Sequence, residues 1–84
     1  MDILKNPTTV KLLARQLIAS CDGYIALKIP EKQFKELIIH YAAQHGKKLF
    51  SHKGLNPTIN SRIGKKRVDL VNIMLDGFQN KLWD

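Results

Sequence analysis

Val10, Leu13, Ala14, Leu17, Ile18 and Cys21 recur at intervals of 0, 3, 4, 7, 8 and 11 residues, and Phe34, Leu37, Ile38, Tyr41, Ala42 and His45 repeat the same spacing. This spacing gathers apolar side chains into one stripe of a 3.6-residue helix. A third stripe runs through Val68, Val71, Met74, Leu75, Phe78 and Leu82, spanning about 120° when each residue advances by about 100°. Lys65, Asp69, Asn72, Asp76 and Gln79 fall opposite it. The three stripes predict an all-α fold, a small bundle of three main helices with one short helix added.

End signals set the expected boundaries. Asn6-Pro7 reads as the first helix start, with a side-chain oxygen for orphan N–H groups and proline where no N–H is needed. Asp22-Gly23 reads as its stop. A helix from about Pro30 ends at Gly46, and Asn56-Pro57-Thr58 opens a short helix to Ile63 that Gly64 breaks. The last helix is expected from Lys65 to about Lys81 as the central packing helix, with Gly77 costing ~1 kcal/mol inside it. Tyr24 to Pro30 is expected to be an extended, partly buried connector. Lys47 to Leu55 is expected to be a second connector, with Leu49-Phe50 tucked into the core.

Eighty-four residues predict a single domain over 1–84, since a chain this short buries only roughly 60% of its unfolded surface. Cys21 is the only cysteine, which excludes an internal disulfide and a multi-cysteine zinc site and suits a reducing compartment. No apolar run approaches the ~20 residues of a membrane span, and Met1-Asp2-Ile3-Leu4-Lys5 lacks the features of a signal peptide. The expected location is cytoplasmic.

Fourteen Lys and Arg stand against seven Asp and Glu, a net charge of +7, and no acid falls between Leu37 and Val68. That stretch carries Lys47, Lys48, Lys53, Arg62, Lys65, Lys66 and Arg67. Cations gathered without acids favour an anionic neighbour: nucleic acid, an acidic protein or an acidic membrane surface. A protein kept dispersed by its charge is the plainer alternative.

Arg62-Ile63-Gly64-Lys65-Lys66-Arg67 stands where the last helix begins. A helix amino terminus carries partial positive charge and unpaired N–H groups, so each cation there is unfavourable by about 0.3–1 kcal/mol. A bound phosphate reverses this, because N–H groups, dipole and side chains then aim at one negative charge. Arg62 and Arg67 can grip it through two N–H groups, with the lysines as point charges. Lys47, Lys48 and Lys53 extend the footprint if their loop folds alongside. The competing arrangement is internal, with Asp69 neutralising Lys65 or Lys66 and the long stems covering apolar surface. A helix-turn-helix reader is disfavoured, since two carboxylates, Asp69 and Asp76, would face the groove.

Catalysis is not expected. His40 and His45 are five residues apart rather than i,i+4, so neither a metal site nor a cofactor is predicted. Cys21 is expected at a helix carboxyl end, where its thiol pKa rises. No serine lies in a recognisable triad pattern.

Lys48-Leu49-Phe50, leading through a turn to Arg62-Ile63-Gly64-Lys65-Lys66-Arg67 and an apolar helix, resembles a group of small, functionally unassigned helical proteins of Gram-positive bacteria over residues 34 to 75. The resemblance implies a short cytosolic helical protein and assigns no activity. The expected function is a noncatalytic module that binds DNA or RNA through phosphate contacts. The alternative is a protein-interaction or oligomerising module using Leu12, Ile39, Ile73 and Trp83, with an acidic protein or itself as partner.

Overall fold

The computed structural model describes residues 3–51 and 54–76. The element order is α1 (Val10–Ile25), α2 (Glu31–Gln44), α3 (Gly46–Leu49), β1 (Phe50–Ser51), β2 (Gly54–Leu55), α4 (Pro57–Ile63) and α5 (Lys65–Met74). The fold is mainly helical, as the periodicity predicts. In place of three main helices and a short one, the described residues form five helices and a two-stranded antiparallel hairpin, with Phe50 opposite Leu55 and Ser51 opposite Gly54.

The first two stripes become core. Leu13, Leu17 and Cys21 of α1 meet Phe34, Ile38 and Tyr41 of α2, and all six are fully buried. Leu49 of α3, Ile59 and Ile63 of α4, Val71 of α5 and Leu75 complete the cluster. Among the described residues α1, rather than the last helix, is central, since it packs against α2, α3, α4 and α5. Helix α5 ends at Met74 with Leu75 as its cap, short of Lys81. Phe78, Leu82 and Trp83 lie outside the described residues.

Asn6-Pro7 does not start α1. The cap is Thr9, whose hydroxyl accepts from Leu12 N at 3.1 Å, while Asn6 Oδ1 faces His45 Nε2 at 3.1 Å and Pro7 is buried. Side chains of α2 and its cap hold the segment before α1: Tyr41 donates its hydroxyl to Leu4 O, and His40 Nε2 donates to Lys5 O at 3.0 Å. At residue 56 the same signal works as read, with Asn56 Oδ1 accepting from Thr58 N at 2.9 Å and Pro57 in the first turn.

Asp22-Gly23 does not stop α1. Gly23 is buried inside the helix, which runs two residues further, to Ile25. Lys28 N then donates to Gly23 O at 2.8 Å and Leu27 N to Tyr24 O at 3.0 Å, the paired bonds of a Schellman ending. The left-handed position falls on Leu27, at φ 63°. Residues 24–29 are therefore a helix end and a turn rather than an extended connector. Tyr24 stacks on Phe34 with ring centroids 4.8 Å apart.

Candidate functional site

Helix α4 is anchored by Ile59 and Ile63, both buried, which leaves Arg62 exposed on its last turn. Gly64 follows at φ 85°, ψ 159° and turns the chain into α5. That backbone region is open in practice only to glycine. The first helical hydrogen bond of α5 is Val68 N to Gly64 O at 2.9 Å. Having no side chain, Gly64 supplies no cap, and the first turn of α5 contains no acid. The leading N–H groups of α5 thus have no intrahelical acceptor, and Lys65 and Lys66 stand exposed beside them.

The four cations of the junction divide into two kinds. Arg67 is bound within the protein: Nε donates to Asp22 Oδ1 at 3.0 Å, Nη2 to Asp22 Oδ2 at 3.1 Å and Nη1 to Ile63 O at 3.0 Å. Its guanidinium ties α5 to the last turns of α1 and α4, and the Asp22 carboxylate holds its charge more firmly still. It also sets a cation near the carboxyl end of α1, where the helix dipole is negative and Asp22 alone would be unfavourable. Arg67 is therefore a clasp and not a free phosphate ligand. Arg62, Lys65 and Lys66 are exposed and make no ion pair among the described residues.

Asp69 forms no ion pair with Lys65 or Lys66 among the described residues. The neutralising carboxylate is Asp22, forty-five positions from Arg67, a pairing without local signal. Lys47 and Lys48 lie on α3, which packs against α1 and α2. No hydrogen bond or ion pair draws their side chains to the junction among the described residues. Lys53 lies outside those residues.

Cys21 sits inside α1 rather than at its end and is fully buried. Burial pushes its thiol up to about 11, with Arg67 pulling slightly down and Asp22 slightly up. Its pKa is raised as expected, but the cause is desolvation and not the helix dipole. His40 and His45 come together with ring centroids 5.9 Å apart, each directing Nε2 at the amino-terminal segment. Among the described residues no three His, Cys, Asp or Glu side chains gather as a metal site.

A second feature has no sequence signature because distant residues build it. Residues 3–5 lie against α2 and leave a cleft of about 460 Å³ lined by Ile3, Ile29 and Leu37 together with Lys5, Gln33, Glu36 and His40.

A family model described as "Conserved hypothetical protein" matches residues 4–76. The chain belongs to that family. The match spans both the clasp and the junction, so Asp22 and Gly64 to Arg67 lie within the family's own extent. No curated protein and no solved structure matches the chain. No helix among the described residues is long and apolar enough to cross a membrane.

Proposed function

We propose that this protein is a noncatalytic module that binds nucleic acid through phosphate contacts at the amino terminus of α5. The observation that carries the reading is the junction itself. Arg62, Lys65 and Lys66 are exposed and unpaired among the described residues, around a helix start with neither a cap nor an acid. Three cations and a helix terminus that repel one another are offset when the phosphates of a nucleic-acid backbone lie along the junction. Arg67 acts as a positioning residue that fixes the first turn of α5 against α1. Lys47, Lys48 and Lys53 extend the footprint only where a bound strand runs on from the junction to α3 and the loop after it, and α1, α2 and α5 form the three-helix frame beneath the site. Contacts of this kind hold the backbone without reading bases, which suits a regulatory or ribosome-associated role in the cytoplasm of a Gram-positive bacterium.

A chemical-shift titration with short mixed-sequence DNA and RNA tests affinity and location together. Movement concentrated at Arg62 through Val68, with weaker shifts near Lys47, is the expected result. Shifts centred elsewhere, or none at low salt, refute the assignment.

A further inference from the structure

The polar side chains of α4 and its cap fall into two groups. Asn56 and Asn60 are engaged with the backbone: Asn56 Oδ1 accepts from Thr58 N at 2.9 Å, its Nδ2 donates to Lys48 O at 3.2 Å, and Asn60 Nδ2 donates to Leu55 O at 3.3 Å. Thr58 and Ser61 are exposed, and neither hydroxyl has a hydrogen-bond partner among the described residues. A helical serine can return its hydroxyl to a carbonyl of the preceding turn, as Ser20 does to Leu17 O at 3.0 Å. Ser61 makes no such bond among the described residues.

These two hydroxyls share a recess with a cation. Thr58, Ser61 and Arg62 stand three and four positions apart and so fall on one side of α4, away from the buried Ile59 and Ile63. With Pro57 they line an open recess of about 420 Å³, and none of its lining residues is acidic. That is room on the order of ten waters at ~30 Å³ each, which a phosphate and its flanking sugars can displace. Hydroxyl donors beside a guanidinium, with no carboxylate among them, suit phosphate oxygens rather than a cation or an apolar group.

Arg62 belongs both to this recess and to the cation junction, with only Ile63 and Gly64 between it and Lys65. We infer that the nucleic-acid backbone continues from the junction onto the outer face of α4, where one phosphate is held in the recess by Arg62 with Thr58 and Ser61 donating their hydroxyls. The inference rests on phosphate binding at the junction and adds two uncharged ligands to it. Uncharged hydroxyls displace no counterions, so they raise affinity without adding to its salt dependence.

That difference supplies the test. Affinity of the full chain for a short mixed-sequence DNA duplex is measured across a salt series for the wild type, for Thr58→Val with Ser61→Ala, and for Thr58→Ser with Ser61→Thr. Removing both hydroxyls is expected to weaken binding by about tenfold or more at every salt concentration and to leave the slope of log K against log salt unchanged. The exchanged pair keeps both hydroxyls and should bind within about threefold of wild type. In the wild type, shifts centred on the junction should extend back to Thr58 and Ser61. Wild-type affinity in the variant without hydroxyls, while substituting Lys65 and Lys66 still flattens the slope, would overturn the recess and leave the junction standing. A slope that falls when the hydroxyls are removed would place their effect in the cations and overturn their role as ligands. No binding by the wild type at low salt would overturn the junction, and the recess with it.

Discussion

Replacing Leu27 by glycine is predicted to make the folded monomer more stable, an unusual result for deleting a leucine. In the left-handed region a Cβ sits too close to the following carbonyl oxygen, at a cost of about 1–2 kcal/mol. Leu27 is held there at φ 63° by the bonds from Leu27 N to Tyr24 O and from Lys28 N to Gly23 O. Both are backbone bonds and survive the substitution. Because the side chain is 91% exposed, its removal forfeits almost no burial. Against the relief stands the greater freedom of glycine in the unfolded chain, about 0.5–1 kcal/mol. The balance is a gain of about 0.5–1 kcal/mol. Urea unfolding followed by circular dichroism should show a higher midpoint with an unchanged m-value. The melting temperature should rise by roughly 2–8 °C. Leu27→Ala retains the Cβ and should gain much less, and Leu27→Val, branched at Cβ, should lose stability. A glycine variant no more stable than wild type would refute the assignment of strain to this turn.

Gly64→Ala should destabilise the protein by about 1–3 kcal/mol through backbone strain alone, since an added Cβ meets nothing within 4 Å; a neutral result in thermal unfolding would contradict the φ of 85° found there. A double-mutant cycle on Arg67 and Asp22 should return a coupling of only about 0.2–1 kcal/mol, shrinking with added salt, because the side chains remain 34% and 49% exposed. A larger, salt-insensitive value would mean a buried pair. Burial pushes the Tyr41 hydroxyl up to about 12 from 10.0. The unfolded side chain ionises first, so this contribution to stability is intact below pH 10 and falls between about pH 10 and 12 by roughly 1.4 kcal/mol per unit. Absorbance at alkaline pH should show Tyr41 ionising together with unfolding, and ionisation at its ordinary pKa in the native state would contradict its burial.

Periodicity alone placed the core, because Leu13, Leu17, Cys21, Phe34, Ile38 and Tyr41 are buried by the geometry of their own helices. The end signals depended on what lies across the fold. Asn-Pro-Thr at 56–58 begins a helix as local chemistry predicts, while at 6–8 the same three residues do not. There His40, Tyr41 and His45 bind residues 4–6, and the helix must wait for Thr9. Asp22-Gly23 misled for a related reason. A glycine buried between packed helices is no longer free to end its own, and the stop moved to Leu27.

The cation cluster at residues 62–67 was legible, and so was the absence of acids from the first turn of α5. The division of labour within it was not. Arg67 meets Asp22 only because α5 folds back onto the last turn of α1, and nothing near either residue records that meeting. The cleft beside Ile29 was hidden in the same way, since its walls come from segments that meet only in the folded chain.

The proposed site rests on three cations, Arg62, Lys65 and Lys66, and the salt dependence of nucleic-acid affinity counts them directly. If each neutralises one phosphate, log K against log salt should fall with a slope of about −2.7 on duplex DNA and about −2.1 on single strands, steepened only if Lys47, Lys48 or Lys53 also reach the strand. Lys65→Gln with Lys66→Gln should flatten the duplex slope by about 1.8, whereas Arg67→Gln should leave it nearly unchanged, that charge being engaged with Asp22. A flat salt profile, or a slope that the double lysine substitution does not alter, would contradict phosphate binding at the α4–α5 junction.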